Sequence, residues 1–413
     1  MMKKIDVALK EYKITIEVLS GLCTGNNDTS YYSSDEYVVQ DGKAYFINFS
    51  DILKLREKGI LEDSELESVY NNICEQSFIS DKLKNHLKSL NLLTRYDNKT
   101  DIHKFSSIKQ VSENEIFEIR TIAGSTIKGL FRHGFELFNV KSVNYEYKRN
   151  NYKNNKRLNL YGVNAINNKG YSNYNYVKEE KDKNRLIQKF PQGKLINYRY
   201  NIKLNRNKFI IYDNLMDIED SSLKKDIKNK DSNIIFRNVI FSDCKESKAD
   251  FVIEKIYGWN RKSKKEIIPQ YYEIAQVGSL FEGKISYKNI EPEKDNLVAI
   301  SLMYKDKTPI DIALESLKQF YFKVIDLEEK YYEIPIYSNN VKEFYKFLRE
   351  ENEKDNQFVC KLGYSGSINK TLISYDNINN KDELLPYILK YMKQTNLPFG
   401  WVKVKLEESK HED

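Results

Sequence analysis

The sequence predicts an α+β protein, in which strands and hairpins occur together with amphipathic helices. Three observations support this class. Apolar residues alternate over 14–18, as in a strand with one buried face. The dipeptide Asp41-Gly42, which readily adopts the positive φ of a tight turn, separates two apolar runs and predicts a hairpin. Apolar residues at helical spacing predict helices over 309–322 and 340–351.

The remaining elements are predicted from turn residues and from local periodicity. In chain order they are a flexible glycine loop over 20–27, the hairpin strands 36–40 and 43–47, a short helix that Ser50 caps and that ends near Gly59, a polar helical region over 63–93, a strand from about 116, a helix that opens near 124, strands near 234–241, 271–277 and 284–287, a turn over 278–283, and a strand over 358–362.

Length and charge suggest two domains and one unusual segment. A chain of 413 residues predicts two domains, which we place at 1–235 and 236–413. The formal net charge is only +7. Residues 141–212, however, contain 17 Lys or Arg against 4 Asp or Glu, which gives 17 − 4 = +13. The positive charge is therefore concentrated in a Lys/Asn/Tyr-rich insertion at about 141–232.

Two interpretations of this insertion remain open. Cations interleaved with aromatic residues are typical of segments that neutralise phosphates and stack on unpaired bases. Alternatively, Lys, Asn, Tyr, Ile and Phe all have AT-rich codons, so that the composition reflects the genome. The charge imbalance favours RNA contact, whereas codon bias explains the Asn and Tyr residues.

The cysteines predict neither a zinc site nor a disulfide framework, because Cys23, Cys74, Cys244 and Cys360 are scattered without a CxxC motif. This usage fits a reducing cytoplasm. We find no signal peptide and no apolar run long enough to span a membrane. No metal site and no cofactor are predicted.

Residues 121–138 predict a helix whose N-terminus suits an anion. A small-residue turn precedes it, its apolar residues form a stripe, and two cations four positions apart share the other face. Ser125 or Thr126 is the predicted cap. The alternative is a capped helix whose cations are simply solvated. The candidate anion-binding residues are Gly124, Ser125, Thr126, Lys128, Gly129, Arg132 and His133.

A second glycine and lysine loop follows the strand near 358. It differs from a nucleotide-binding P-loop, since Asn369 rather than glycine precedes Lys370 and no helix pattern follows. The loop is either a plain glycine hairpin or a place where a sugar-phosphate chain approaches the backbone. The candidate residues are Gly363, Gly366, Ser367, Lys370 and Thr371.

The order of these motifs resembles the RAMP superfamily of CRISPR proteins, and most of all the fifth-subunit family of the type III-A Csm effector complex. The central family motif Ile-Pro-Gly-Ser-Ser-x-Lys-Gly-x-x-Arg corresponds to 122–132, with Ala123 and Thr126 as departures. Residues 363–371 resemble the family's C-terminal glycine loop, and 398–403 its terminal signature. Residues 21–25 match its first loop only loosely.

This resemblance implies two ferredoxin-like, RRM-related RAMP domains with a long basic insertion. It implies a non-catalytic subunit that binds the 3′ part of the crRNA through both glycine loops, caps the backbone filament and supports crRNA 3′-end maturation in antiviral defence. The implied partners are crRNA, target RNA, other Csm subunits (especially the adjacent backbone RAMP subunit) and recruited nucleases.

Other functions remain open. Related backbone subunits cut target RNA with a loop aspartate, and Asp28, Asp35 and Asp41 lie in about the corresponding region. A RAMP nuclease that processes precursor RNA could use His133 as a base. The chain could also be a sibling RAMP subunit of another type III complex. No Gly-Gly-Asp-Asp sequence is present, which argues against the polymerase-like large subunit.

Overall fold

The computed structural model confirms an α+β fold of mixed sheets and helices. It describes residues 8–25, 31–33, 35–47, 49–75, 78–96, 101–112, 115–139, 156–166, 172–177, 194–205, 208–217, 239–261, 263–289, 308–331, 339–365 and 388–409.

The helices are α1 (Phe49–Glu57), α2 (Asp63–Cys74), α3 (Asp81–Lys84), α4 (Gly124–Asn139), α5 (Pro309–Tyr331) and α6 (Asn339–Glu353). The strands are β1 (Ala8–Val18), β2 (Tyr31–Tyr32), β3 (Tyr37–Gln40), β4 (Lys43–Phe46), β5 (Lys88–Leu92), β6 (Ile102–His103), β7 (Ser107–Ser112), β8 (Glu115–Ile122), β9 (Lys156–Ile166), β10 (Ser172–Val177), β11 (Lys194–Asn205), β12 (Lys208–Asp217), β13 (Val239–Phe241), β14 (Cys244–Lys248), β15 (Phe251–Asn260), β16 (Lys265–Ala275), β17 (Leu280–Asn289), β18 (Gln357–Lys361), β19 (Ile388–Met392) and β20 (Trp401–Glu408).

The first sheet has β1 near its centre. Its order is β18-β20-β1-β17-β14-β8-β7, and β13 also pairs with β17. Strand β1 pairs antiparallel with both β17 and β20. Ile14, Ile16 and Val18 are buried on one face, which confirms the alternation that the sequence shows.

The second sheet contains the predicted hairpin. Its order is β2-β6-β16-β15-β5-β4-β3, and β19 also pairs with β15. Asp41 and Gly42 connect β3 to β4 with φ values of 53° and 72°, so the predicted turn is confirmed. Strands β2 and β6 contribute only two residues each.

A third sheet, of order β10-β9-β11-β12, lies within the Lys/Asn/Tyr-rich insertion. Its strands pair antiparallel with one another. We predict no strands for this part of the chain, because its aliphatic residues are too sparse to show a period of two.

Strand pairing joins distant parts of the chain. Strand β1 lies between β17 and β20, and β6 lies beside β16. Both large sheets therefore take strands from either side of residue 235. The division into domains at 1–235 and 236–413 stays a prediction.

Three predicted boundaries differ from the structure. The polar region 63–93 divides into α2, α3 and β5. Helix α5 extends nine residues beyond the predicted end, to Tyr331, because Val324, Ile325 and Leu327 continue its buried stripe. Gly283 lies inside β17 rather than in a turn.

The main core joins the two large sheets and the three long helices. Helix α5 packs against α4 and α6, and α5 and α6 lie on β18. The sheets are also linked by a buried ion pair, in which Arg120 of β8 donates to Glu273 of β16 at 2.6 Å. This packing holds in place the loops that lie between the two large sheets.

Within the described residues, no helix is both long and apolar enough to cross a membrane. Cys23, Cys244 and Cys360 are free thiols, and all three are buried.

Candidate nucleic-acid interface

The predicted anion site at the start of α4 already holds a carboxylate of the protein. The backbone N–H of Gly124 donates to Oδ1 of Asp243 at 2.8 Å. A Cβ atom at Gly124 would lie 2.3 Å from the carbonyl oxygen of Phe241. Glycine is therefore required here by the close approach of the β13–β14 connection.

The predicted caps are incorrect, because the helix begins before them. Thr126 and Ile127 donate their N–H groups to the carbonyl of Ala123, at 2.9 and 3.3 Å. Ser125 and Thr126 are thus in the first turn, where both side chains are exposed. The capping carboxylate comes from Asp243 instead.

The two predicted cations of α4 have different surroundings. Lys128 is half-buried, and its Nζ donates to the carbonyl of Val239 at 3.0 Å, so it holds β13 to the helix. Arg132 is exposed. A Cβ atom at Gly129 would meet nothing within 4 Å. His133 belongs to α4, but its side chain is outside the described part of the structure.

The start of the C-terminal glycine loop contacts the first glycine loop. Gly363 has a φ of +66°, and a Cβ atom there would lie 1.9 Å from the carbonyl oxygen of Cys23. Tyr364 donates its N–H to that same carbonyl at 3.0 Å. A Cβ atom at Gly25 would overlap the hydroxyl of Tyr364. Gly366, Ser367, Lys370 and Thr371 lie outside the described residues.

The terminal signature holds the first glycine loop in place. Gly400 donates its N–H to the carbonyl of Gly21 at 2.9 Å, and Trp401 donates its N–H to Oγ of Ser20 at 3.0 Å. Ser20, Leu22 and Cys23 are fully buried. The prediction of a flexible loop is therefore incorrect for residues 20–24, which are buried.

An aromatic row that the sequence does not reveal lies beside these loops. Tyr31 of β2 is opposite His103 of β6, which is in turn opposite Tyr272 of β16. The His103 and Tyr272 rings stack at 4.2 Å with planes 7° apart. The Tyr31 ring lies 4.6 Å from His103, and the Tyr364 ring 5.2 Å. The row extends from the core to Tyr31, which is 51% exposed.

The two ring nitrogens of His103 have different surroundings. Its Nε2 lies 3.3 Å from Oε1 of Gln270, whereas its buried Nδ1 has no hydrogen-bond partner among the described residues. Burial, with a smaller effect of the Lys390 charge, lowers the pKa of His103 to about 4. The ring is therefore neutral at pH 7, and Nδ1 can accept a hydrogen bond when Nε2 carries the proton.

Lys390 brings a positive charge into the row. Its Nζ donates to the hydroxyl of Tyr272 at 2.6 Å and lies 4.7 Å from that ring and 5.5 Å from the Tyr364 ring. Burial lowers the pKa of Lys390 to about 8. No described carboxylate forms an ion pair with Lys390, whereas Lys88 is paired with Glu118 at 3.0 Å. A half-buried cation with no described carboxylate beside it suits an external anion.

The aspartates of the nuclease alternative are placed as follows. Asp41 forms the hairpin turn and accepts a hydrogen bond from Lys84 at 2.7 Å. Asp35 is exposed, and Asp28 lies outside the described residues. In the described part of the chain, no group of three His, Cys, Asp or Glu side chains could hold a metal ion.

No protein-family model matches the sequence, and no curated protein matches it significantly. The fold does match solved structures. One is a chain of the cryo-EM structure of a Csm–crRNA–target RNA ternary complex in a type III-A CRISPR-Cas system, with a TM-score of 0.54 and 13% identity, covering 96% of this chain and 100% of the other. Another is Csm5 of T. onnurineus, with a TM-score of 0.46 and 15% identity, covering 94% and 99%. The match at a TM-score of 0.54 confirms the predicted likeness to a Csm protein at the level of the fold.

Proposed function

We propose that this chain is a non-catalytic subunit of a type III-A CRISPR RNA-guided effector complex and that it binds the 3′ part of the crRNA. The observation that carries the proposal is the fold match to a chain of a Csm–crRNA–target RNA complex, which extends over 96% of this chain and all of the other. A shared fold alone does not determine function, so the chemistry of the chain must agree with it.

The charges and rings of the chain support RNA as the ligand. Lys390 lies in an aromatic row and has no carboxylate partner among the described residues. The segment 141–212 adds a charge of +13. Cations that meet phosphates and rings that meet bases are the usual components of single-strand binding. Binding of this kind depends strongly on salt and only weakly on base sequence.

The finer role follows from the motif resemblance. The chain would cap the backbone filament, contact the adjacent backbone RAMP subunit and other Csm subunits, and support crRNA 3′-end maturation through recruited nucleases. Target RNA would be bound by the complex as a whole. This antiviral role belongs in the cytoplasm, where crRNA is present.

We also propose that the two large sheets correspond to two ferredoxin-like RAMP units. Each would be completed by strands from both halves of the chain, as the pairing of β1 with β17 and β20 suggests. The boundary near residue 235 would then mark the return of the chain from the basic insertion.

A pull-down from cells that carry a type III-A array tests the proposal. The tagged chain should recover crRNAs with a shared 5′ tag together with several backbone subunits. A strain that lacks the chain should accumulate crRNAs with longer 3′ ends, and the wild-type gene should restore the normal length. Recovery of the chain alone, or of unrelated RNA, would refute the effector role.

The absence of catalysis requires its own test. The purified chain should leave labelled target RNA and precursor crRNA intact with and without Mg²⁺. Metal-dependent cleavage that is lost in Asp35→Asn would favour the endoribonuclease alternative. Cleavage without metal that is lost in His133→Ala would favour precursor processing.

A further inference from the structure

We infer that Tyr31, His103, Tyr272 and Lys390 form a binding site for one unpaired RNA nucleotide, with the base stacked on Tyr31 and a phosphate beside Lys390. The inference rests on the proposed function for the choice of RNA as ligand. It places the contact in an aromatic row that lies outside the predicted glycine motifs.

The first argument is the geometry of the row. Residues in register on neighbouring strands project from the same face, which is how sheet-based RNA-binding domains present stacking rings. Tyr272 and His103 stack on each other within the core, and Tyr31 covers the outer side of His103. Strand β2 is the last strand of its sheet, and Tyr31 is 51% exposed. The row thus ends in a ring that can stack on a base.

The second argument is the charge of Lys390. Its described polar partner is the Tyr272 hydroxyl, and no described carboxylate balances it. Other cations between the two large sheets are balanced, since Arg120 forms an ion pair with Glu273 and Lys104 forms one with Glu118. A partly buried cation beside a stacking surface matches a phosphate linked to a base.

The third argument is the unsatisfied nitrogen of His103. Among the buried side-chain nitrogens and oxygens that the structure describes, Nδ1 of His103 is the one without a partner. A buried polar atom left unpaired costs free energy, so an unpaired nitrogen beside the Tyr31 ring marks this row as a place that the described residues do not complete.

This site differs from the start of α4. There, Asp243 already accepts the Gly124 N–H, and Lys128 is directed to the carbonyl of Val239. In the aromatic row, Nδ1 of His103 has no hydrogen-bond partner among the described residues, and the polar partner of Lys390 is a neutral hydroxyl. The row therefore offers the better-matched contact for a nucleotide.

A thermodynamic cycle tests the stacking contact. The purified full chain is titrated by fluorescence anisotropy with an oligouridine of about ten nucleotides and with an abasic ribose oligomer of the same length. We expect Tyr31→Ala to weaken oligouridine binding about tenfold and to leave abasic binding nearly unchanged. Tyr31→Phe should bind as the wild type does. Tyr70→Ala, at a tyrosine of 52% exposure on α2, is the matched control.

A second pair of variants tests the phosphate contact. Lys390→Met removes the charge and keeps most of the side-chain volume. It should weaken the binding of both oligomers, and it should reduce the slope of log affinity against log salt concentration by about one. Lys393→Met is the control, because Lys393 is exposed and lies 3.9 Å from Glu266. Circular dichroism verifies that each variant is folded.

The outcomes separate this inference from the proposed function. If the wild type binds oligouridine and Tyr31→Ala and Lys390→Met bind equally well, the nucleotide site is wrong while RNA binding stands. If the wild type binds neither oligomer and recovers no crRNA from cells, both are wrong. If Lys390→Met instead loses an acidic partner protein and keeps oligouridine affinity, the site binds protein, and the inference fails.

Discussion

Asp243 caps helix α4 from a distant part of the chain, since its Oδ1 accepts the backbone N–H of Gly124 at 2.8 Å. A carboxylate satisfies an unpaired N–H in the first turn and interacts favourably with the helix dipole. An RNA phosphate bound at this N-terminus would have to occupy the position that the Asp243 carboxylate already occupies. The motif that resembles an anion cradle is therefore stabilised internally, and any phosphate would be held by neighbouring groups such as Ser125 and Arg132.

We predict that Asp243→Ala lowers stability and raises RNA affinity. Loss of the cap should lower the free energy of unfolding by about 1 kcal/mol. Removal of a negative charge beside the exposed start of α4 should strengthen salt-dependent RNA binding. Urea denaturation and anisotropy titration measure the two effects. Asp250→Ala is the control, and equal RNA affinity of both variants would show that no phosphate approaches this turn.

Gly363 tests the contact between the two glycine loops. Gly363→Ala introduces a methyl group that overlaps the Cys23 carbonyl, and it places alanine at a φ of +66°, which is strained for any residue with a Cβ atom. The free energy of unfolding should therefore fall by roughly 3 kcal/mol or more. Gly278 provides a matched control, because its φ is +85° and no atom lies within 4 Å of a Cβ atom there. Gly278→Ala should cost only about 1 kcal/mol. Equal losses in urea denaturation would argue against the contact.

The elements that the sequence predicts well are those with a local cause. The alternation of Ile14, Ile16 and Val18 reflects one buried face, and the Asp41-Gly42 turn reflects the φ that these two residues tolerate. Both patterns are complete within a few neighbouring residues, so one sequence suffices to recognise them.

The candidate site could not be predicted in the same way. Gly124 and Asp243 are 119 positions apart, and nothing in the local sequence pairs them. Tyr31 and His103 lie on strands of two residues each, too short to show any period. With 31 tyrosines in the chain, composition does not distinguish the ring that lies in the row. The site arises from strand order, which a single sequence leaves undetermined.

The buried pair of Lys361 and Glu328 should be essential for stability. Lys361 donates to both carboxylate oxygens, at 2.8 and 3.1 Å, and Tyr345 donates to Oε1 at 3.1 Å. Glu328→Gln removes the negative charge that this carboxylate places beside the buried Lys361, so the free energy of unfolding should fall by about 3–5 kcal/mol. Urea denaturation measures this loss.

Two further variants serve as comparisons for Glu328→Gln. The double variant Glu328→Leu with Lys361→Met should recover much of the lost stability, because no uncompensated charge remains. Glu407→Gln removes an exposed carboxylate that faces Lys405 and should leave the unfolding midpoint unchanged. A Glu328→Gln midpoint equal to that of the wild type would contradict the role of the buried pair.

Deprotonation of Lys390 should have opposite effects on two quantities: as the pH rises, folding stability should increase and RNA affinity should decrease. Burial lowers its pKa from the usual 10.5 to about 8. Between these values the unfolded chain holds the proton and the folded chain does not, so the contribution of this group to folding stability should rise with pH from about 8 to about 10.5. RNA affinity should fall as pH rises through about 8, because neutral Lys390 no longer attracts phosphate.

The titratable groups around Lys390 have pKa values that differ from its own, so their titration can be told apart from that of Lys390. Burial raises the pKa of Cys23 and Tyr272 above their usual values, whereas His103, with a pKa of about 4, is already neutral. Glu254, opposite Tyr272 on β15, ionises at a lower pH than Lys390 loses its proton, because burial raises the pKa of Glu254 only to about 7. Anisotropy titrations between about pH 7 and 9.5 should therefore show the loss of affinity in the wild type and in Lys393→Met. Lys390→Met should show a flat profile, and the same slope in all three proteins would exclude Lys390 as the phosphate contact.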